Sequence, residues 1–191
     1  TDLEAGIFEL HNVVPGETLG LTGVGAMAEK DAGTREVMRG TLTLVDGTGG
    51  GKASNYTLDG GEHIVTIDPR VVQLVGRRQY DGTTDLEAGI FELLNVVPGE
   101  TIGLTGVGAM AEKDAGTREV TLGTLTLVDG TGGGKAPNYT LDGGEHTVTI
   151  DPRVISLRGR RVYDGSTILA AEIFDLVGLV PGEALTLTGT A

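Results

Sequence analysis

Short runs in which apolar and polar residues alternate recur along the chain, and each predicts a β-strand with one buried face. The alternation is strictest in Thr124-Leu125-Thr126-Leu127 and in His146-Thr147-Val148-Thr149-Ile150. Further runs rich in β-branched and apolar residues are VVQLVG from Val71, IFELLN from Ile90 and TIGLTG from Thr101. The pattern therefore predicts a chain built mainly from short strands.

Turn residues separate these runs. The turn sequences are Asp81-Gly82, Pro98-Gly99, Asp114-Ala115-Gly116, Asp129-Gly130 and Asp142-Gly143-Gly144. Asp caps its own backbone and Gly supplies a positive φ, so we expect Gly82 and Gly116 to adopt positive φ. Six or seven short strands at this spacing predict an all-β fold of small immunoglobulin-like β-sandwich modules.

One segment, TDLEAGIFELLN from Thr84, leaves a second fold open. Leu86, Ile90 and Leu93 have helical spacing, although the segment is short and contains Gly89. A helix here would favour a β-grasp module over the sandwich.

The chain repeats itself. Residues 1–70 align without a gap onto residues 84–153, so the repeat recurs every 83 residues. Six aligned positions differ, which are His11/Leu94, Leu19/Ile102, Met38/Thr121, Arg39/Leu122, Ser54/Pro137 and Ile64/Thr147. A more divergent copy begins at Val154. We therefore divide the chain into the C-terminal part of one repeat (1–70), a complete repeat (71–153) and the N-terminal part of a third (154–191).

Composition restricts the partners and the core. The net charge of −13 is spread over every repeat, which argues against nucleic acid because phosphate binding needs clustered Lys and Arg. Cysteine is absent, so neither disulfides nor thiolate metal sites can form. No apolar run is long enough to span a bilayer, and the segment ILAAEIFDLVGLV near the end is interrupted by Glu172 and Asp175, so membrane insertion is not expected. With few aromatic residues, the core is predicted to be thin and aliphatic.

No catalytic constellation is apparent, and we expect no enzymatic activity. The glycine-rich loop DGTGGGKAPN lacks the glycine spacing and the hydroxyl residue of a phosphate-binding loop, and it is interpreted as a hairpin loop. The histidines His11, His63 and His146 form no repeated pair, because Leu94 replaces His11 in the next copy.

Two weaker candidate sites remain. Asp81 and Asp85 could offer oxygen ligands to calcium, although Ile168 replaces Asp85 in the third copy, and turn residues are the favoured interpretation. Asn55 and Asn138 begin matches to the N-glycosylation sequon, which a Thr-rich chain produces easily. No other cofactor is expected.

Several landmarks occur in a fixed order: Tyr80-Asp81-Gly82 and Tyr163-Asp164-Gly165, Pro98-Gly99, Gly116, Asn138-Tyr139-Thr140 and Thr149-Ile150-Asp151-Pro152. With them, the chain resembles the YDG-type repeats of large bacterial surface proteins, the filamentous-haemagglutinin-like adhesins and related two-partner-secreted exoproteins. The resemblance implies tandem extracellular stalk modules, at the bacterial cell surface or secreted, without catalytic residues.

We therefore expect a non-enzymatic stalk or fibre that gives reach and stiffness for cell adhesion or for biofilm and matrix structure. Pro152 restricts the short link between repeats, which favours a stiff rod. One alternative is a repeated module that binds a glycan or receptor. Another is the subunit of a strand-donating extracellular filament, in which the incomplete ends complete one another. The ends duplicate part of the repeat, which favours a segment of a continuous array.

Overall fold

A computed structural model describes residues 2–190, and over these residues the chain is all-β, as predicted. The strands are β1 Asp2–Glu4, β2 Leu19–Thr22, β3 Val24–Met27, β4 Gly33–Met38, β5 Thr43–Asp46, β6 Ile64–Ile67, β7 Arg70–Val71, β8 Gln73–Gln79, β9 Asp85–Glu87, β10 Phe91–Leu94, β11 Ile102–Thr105, β12 Val107–Ala109, β13 Gly116–Glu119, β14 Thr126–Asp129, β15 Tyr139–Thr140, β16 Thr147–Asp151, β17 Ser156–Gly159 and β18 Phe174–Val177. Single turns of 3-10 helix span Ala5–Ile7, Ala53–Asn55, Ala88–Ile90, Ala136–Asn138 and Ala171–Ile173.

The helical alternative for TDLEAGIFELLN is wrong. Strand β9, one 3-10 turn at Ala88–Ile90 and strand β10 cover this segment. Leu86 is fully buried because β9 pairs with β12, whereas Phe91 and Leu93 face inward by strand alternation. Pairing with neighbouring strands therefore decides the conformation of a segment whose helical pattern is brief.

The chain forms two compact units. Unit 1 contains the residues up to Arg70 together with Pro137–Tyr139, and unit 2 contains Val71–Ala136 and Thr140–Ala191. The main division lies between Arg70 and Val71, where the sequence places the start of the complete repeat.

The main sheet of unit 2 has four strands in the order β10-β8-β16-β13. β8 pairs antiparallel with β10 and parallel with β16, so the first and last long strands of the repeat are neighbours in the centre. β16 in turn pairs antiparallel with β13. An immunoglobulin-like sandwich has antiparallel sheets, and the predicted sandwich is not confirmed.

The core of unit 2 lies on the inner face of this sheet. Its largest fully buried side chains are Leu74, Leu86, Ile150, Val72 and Val148. Leu86, Val148 and Ile150 form one cluster with Met110, and the partly exposed Tyr80, Ile90, Phe91 and Val120 pack against it. The core is therefore aliphatic with aromatic rings at its margin, as the composition predicts.

Unit 1 contains strands β1 to β6, and four of them form a sheet in the order β1-β3-β4-β6. Its buried cluster is Leu3, Met27 and Val37. Residues 1–70 align with residues 84–153, which follow the end of β8.

Leu86→Ala should lower the free energy of unfolding of unit 2 by about 2–5 kcal/mol, because it leaves a cavity beside Val148 and Ile150. The matched control is Leu94→Ala on strand β10, whose side chain is substantially exposed and should cost less than about 1 kcal/mol. Urea denaturation followed by circular dichroism measures both. Equal costs would show that the core is not centred on Leu86.

Candidate functional site

The Tyr80-Asp81-Gly82 sequence forms a tight turn directly after β8. Asp81 Oδ1 accepts hydrogen bonds from the Thr83 backbone N–H at 2.9 Å and from the Thr83 hydroxyl at 2.8 Å. Gly82 has φ of 82° and Gly116 has φ of 130°, so both predicted positive φ values are confirmed. The side chain of Asp81 therefore caps its own backbone, as the sequence predicts.

Arg78, near the end of strand β8, forms hydrogen bonds with this turn. Its guanidinium donates to Asp81 Oδ2 and, at 2.7 Å, to the Thr83 carbonyl. Partial burial by itself raises the pKa of Asp81. The hydrogen bonds from Thr83 and the charge of Arg78 outweigh that effect, and the pKa lies below its ordinary value. The turn is thus a charged element whose carboxylate remains ionised.

The third copy builds the same turn. Asp164 Oδ1 accepts from the Ser166 backbone N–H at 2.9 Å, and Arg161 donates to Asp164 and to the Ser166 carbonyl. The geometry therefore recurs wherever an Arg-x-x-Asp-Gly-Thr/Ser sequence follows the opening strand.

The hydroxyl of Tyr80 donates to Glu183, a residue of the third copy that lies in the same unit. Lys113 Nζ lies 2.6 Å from the same carboxylate oxygen and 5.7 Å from the centre of the Tyr80 ring. Hydrogen bonds from Lys113 and Tyr80 lower the pKa of Glu183, and the hydrogen bond to Glu183 raises the pKa of Lys113. One carboxylate thus receives two donors from the preceding repeat.

Apolar and backbone contacts complete this region. Val180 packs on Gly82, where an added Cβ would lie 2.7 Å from Val180 Cγ1. Arg153 Nε donates to the Gly178 carbonyl at 2.5 Å. We call the region the inter-repeat joint, formed by Tyr80, Gly82, Lys113 and Arg153 with Gly178, Val180 and Glu183. An open pocket of about 270 Å³ lies beside it and is lined mainly by apolar residues, including Ile155, Leu179 and Leu185.

Sequence reasoning identified the Tyr80-Asp81-Gly82 half of the joint but missed Lys113 and Glu183. A signal for Glu183 exists in the repeats. Val-Pro-Gly-Glu occurs in all three copies, ending at Glu17, Glu100 and Glu183. Acidic residues are frequent in this chain, so a single glutamate does not stand out in the sequence. Only the recurrence of the motif could have indicated Glu183.

The same glutamate has a different partner in unit 1. Glu17 Oε2 accepts from the hydroxyl of Tyr56 at 2.6 Å, and the Val14 backbone N–H donates to that hydroxyl at 3.2 Å. The hydrogen bond to Glu17 raises the pKa of Tyr56.

The two calcium candidates have separate environments. Both oxygens of Asp81 are engaged by Arg78 and Thr83, so a cation could bind only by displacing the guanidinium. Asp85 begins β9 and is exposed. Within residues 2–190, no group of three or more His, Asp or Glu side chains has a metal-binding arrangement.

The two sequon asparagines also differ. Asn138 packs within unit 1, where its Oδ1 accepts from the Ala32 backbone N–H at 2.8 Å and its Nδ2 lies 2.9 Å from Asp31 Oδ1. A glycan on Nδ2 would disrupt that contact. Asn55 is exposed at the end of a 3-10 turn. The amide of Asn138 therefore has a structural role in this fold.

Buried His146 also has a structural role. Its Nδ1 accepts from the Leu74 backbone N–H at 3.1 Å, so Nε2 carries the proton and donates to the Leu141 carbonyl at 2.8 Å.

The glycine-rich loop packs its backbone on Thr101, since a Cβ on Gly130 or Gly134 would lie within 2.1 Å of the Thr101 carbonyl oxygen. These glycines are required by close packing.

Residues 66–150 match the model of the YDG domain family. The matched segment runs from within β6 to within β16 and contains the Tyr80-Asp81-Gly82 turn, so the resemblance to YDG-type repeats is confirmed for this part of the chain. No curated protein and no solved structure matches the chain. Among residues 2–190, none of the helices has the length and apolarity needed to cross a membrane.

Gly82→Ala should destabilise the turn of the YDG domain by about 1 kcal/mol or more and should also displace Val180. Gly165→Ala is the matched control, because Gly165 has φ of 77° and an added Cβ would meet only the Tyr163 hydroxyl, at 4.0 Å. Methyl NMR signals of Val180 should shift in the first variant alone. Equal shifts in both variants would contradict this packing.

The joint should also weaken in acid. The pKa of Glu183 is lowered by Lys113 and Tyr80, so its carboxylate stabilises the joint fully above its ordinary pKa of 4.5. This stabilisation is lost as the pH falls through the lowered pKa. The raised pKa of Lys113 keeps that partner charged at every pH below its ordinary pKa of 10.5. We therefore expect the Val180 methyl signals to be constant from neutral pH down to about pH 5 and to change in more acidic solution.

Glu183→Gln is the control for this titration. The variant should show the altered Val180 signals already at neutral pH, and its acid transition should be absent. An unchanged titration in the variant would mean that Glu183 does not hold the joint.

Proposed function

We propose that this chain is part of a non-enzymatic stalk or fibre of a bacterial surface adhesin, located outside the cell. In this proposal the YDG domains are tandem modules that supply reach and stiffness for adhesion or for a biofilm matrix. The observation that carries the proposal is the inter-repeat joint, in which Tyr80 and Lys113 of one repeat bind Glu183 of the next.

The joint combines features that favour a fixed geometry. Tyr80 and Lys113 bind the same carboxylate of Glu183, so the two side chains must lie close together. Val180 can pack against Gly82 only because Gly82 has no side chain. Arg153 adds a backbone contact directly after Pro152, whose ring fixes φ. Polar and apolar contacts together resist bending more effectively than a single exposed ion pair.

We further propose a β-grasp-like strand order for the complete repeat, although it lacks the helix, because its first and last strands lie parallel at the centre of the sheet. This topology brings Tyr80, directly after β8, close to Arg153, shortly after β16; the Arg153 guanidinium reaches the Tyr80 carbonyl at 3.5 Å. Both residues then meet the next repeat at one end of the module. Antiparallel neighbours would place these residues at opposite ends.

An extracellular location is supported by the acidic surface, by the absence of cysteine and by the resemblance to YDG-type repeats. A chain that crosses an outer membrane unfolded benefits from having no thiols to oxidise on the way. Antibodies raised against this chain should label intact cells that produce the parent protein. Labelling only after permeabilisation would overturn the proposed location.

The glycan-binding alternative depends on an exposed aromatic platform. Tyr163 is 91% exposed, but the equivalent Tyr80 is covered by Glu183 and Lys113 of the joint. The exposure of Tyr163 is therefore better explained by an unfilled joint position than by a ligand site. Dose-dependent binding on a glycan array, lost in Tyr163→Ala, would favour the alternative.

Stiffness can be measured within unit 2 because the chain has no native cysteine. Spin labels at Thr126→Cys and Glu172→Cys, both at exposed positions, should give one narrow distance distribution by pulsed electron paramagnetic resonance. Glu183→Gln should broaden the distribution. The control Asp175→Asn removes an exposed carboxylate outside the joint and should leave it narrow. A broad distribution in the unsubstituted joint would overturn the stalk proposal.

A further inference from the structure

The chain enters and leaves the complete repeat on two neighbouring strands. It enters at Val71, shortly before β8, and it leaves after Asp151, at the end of β16. These two strands pair with one another in the centre of the main sheet. Tension along the chain therefore passes from β8 to β16 across the hydrogen bonds between them, which we call the β8–β16 ladder.

The parallel direction of the two strands determines how tension acts on the ladder. The load is applied before the first residue of β8 and after the last residue of β16, and these points lie at opposite ends of a parallel pair. The strands are then pulled past one another along their length, so all the hydrogen bonds share the load. In an antiparallel pair the two points would lie at the same end, and the hydrogen bonds would break one after another.

The ladder is continuous along the whole of β16. Each of the five residues of β16 pairs with a residue of β8. Two further contacts extend the ladder at its ends. The Leu74 backbone N–H donates to His146 Nδ1 at 3.1 Å, and the Tyr80 backbone N–H donates to the Asp151 carbonyl at 2.8 Å. The ladder thus has no internal break at which sliding could begin.

Buried side chains keep water from the inner face of the ladder. Leu74, Val148 and Ile150 are at most 1% exposed. Phe91 covers Gly76 in the middle of β8, since a Cβ added to Gly76 would lie 2.8 Å from Phe91 Cδ1. Because water cannot enter from this side to replace a stretched hydrogen bond, burial raises the resistance of the ladder to sliding.

An ion pair crosses the two strands at the end of the ladder. Arg77 of β8 donates to both carboxylate oxygens of Asp151 at 2.7 and 2.9 Å. Both side chains are substantially exposed, so the pair adds little to the free energy of unfolding. Its geometry is bidentate, however, and any sliding of one strand along the other pulls its atoms apart. The pair therefore acts mainly against sliding.

The segment between the two strands lies outside the path of the load. Residues 80–146 connect the end of β8 to the start of β16, and the ladder bridges the two ends of this segment. The segment contains the Tyr80-Asp81-Gly82 turn, the glycine-rich loop and the pairs β9 with β12 and β11 with β14. While the ladder is intact, tension along the chain does not stretch these elements.

We propose that the β8–β16 ladder is a mechanical clamp with which the complete repeat bears tension along the chain, and that Arg77 strengthens this clamp. The function goes beyond the proposed stalk, because stiffness resists bending whereas the clamp resists extension. It depends only on the strand order of the repeat, so it is independent of where the parent protein is located and of what it binds.

Single-molecule force spectroscopy of the whole chain tests the clamp, because the absence of native cysteine allows the two attachment points to be chosen. Val71→Cys with Val154→Cys, both at exposed positions, pulls the strands past one another. Val71→Cys with Glu145→Cys, also exposed, pulls the same strands apart from their N-terminal ends. At one loading rate, we expect rupture along the first axis to need at least about twice the force of rupture along the second.

Two measurements identify the rupture event. Rupture along the first axis should lengthen the tether by up to about 300 Å, the extended length of the chain between the attachment points. Urea denaturation of both cysteine variants should give the same free energy of unfolding, so a difference in force arises from the direction of pulling. Equal rupture forces along the two axes would overturn the clamp.

Arg77→Gln tests the ion pair. It should lower the rupture force along the first axis and leave the second unchanged, because separation from the N-terminal ends reaches Arg77 and Asp151 last. The matched control Arg118→Gln removes an arginine from β13, outside the path of the load, and should change neither force. An effect of Arg77→Gln on both axes, or on neither, would contradict its role in the clamp.

Discussion

The parallel pairing of β8 and β16 joins the two ends of one repeat. Most of the fully buried side chains lie on these two strands or next to them. Leu74 and the preceding Val72 belong to the β8 side of the pair, and Val148 and Ile150 belong to β16. The buried His146 links them again through the Leu74 N–H. Removing either strand would therefore open the core along its whole length.

The same pairing positions the joint. Because both strands run in one direction, the turn after β8 and the link after β16 lie close enough for Arg153 to reach the Tyr80 carbonyl. Tyr80 and Arg153 can then contact a single following repeat. The polar part of that contact uses one carboxylate, and the apolar part depends on a glycine that leaves room for Val180.

Local features of this structure could be predicted from the sequence, whereas long-range pairing could not. Alternation identified the region of β14 and β16, and turn chemistry identified the positive φ of Gly82 and Gly116. The parallel neighbour of β8 leaves no local pattern, since any strand with one buried face has the same period. Glu183 was missed for a related reason, because its partners lie 70 and 103 residues away in the chain.

The distance in sequence between β8 and β16 also determines when a repeat can fold. Arg77 meets Asp151 across 74 residues, so the first strand has no permanent neighbour on that edge until the last one exists. A chain that emerges from its N-terminal end therefore keeps each repeat incomplete until almost all of it has appeared. During that interval the nearly identical strand of an adjacent repeat competes for the same edge. Because the correct and incorrect strands differ little in affinity, correct folding of such an array depends on which strand becomes available to the edge first.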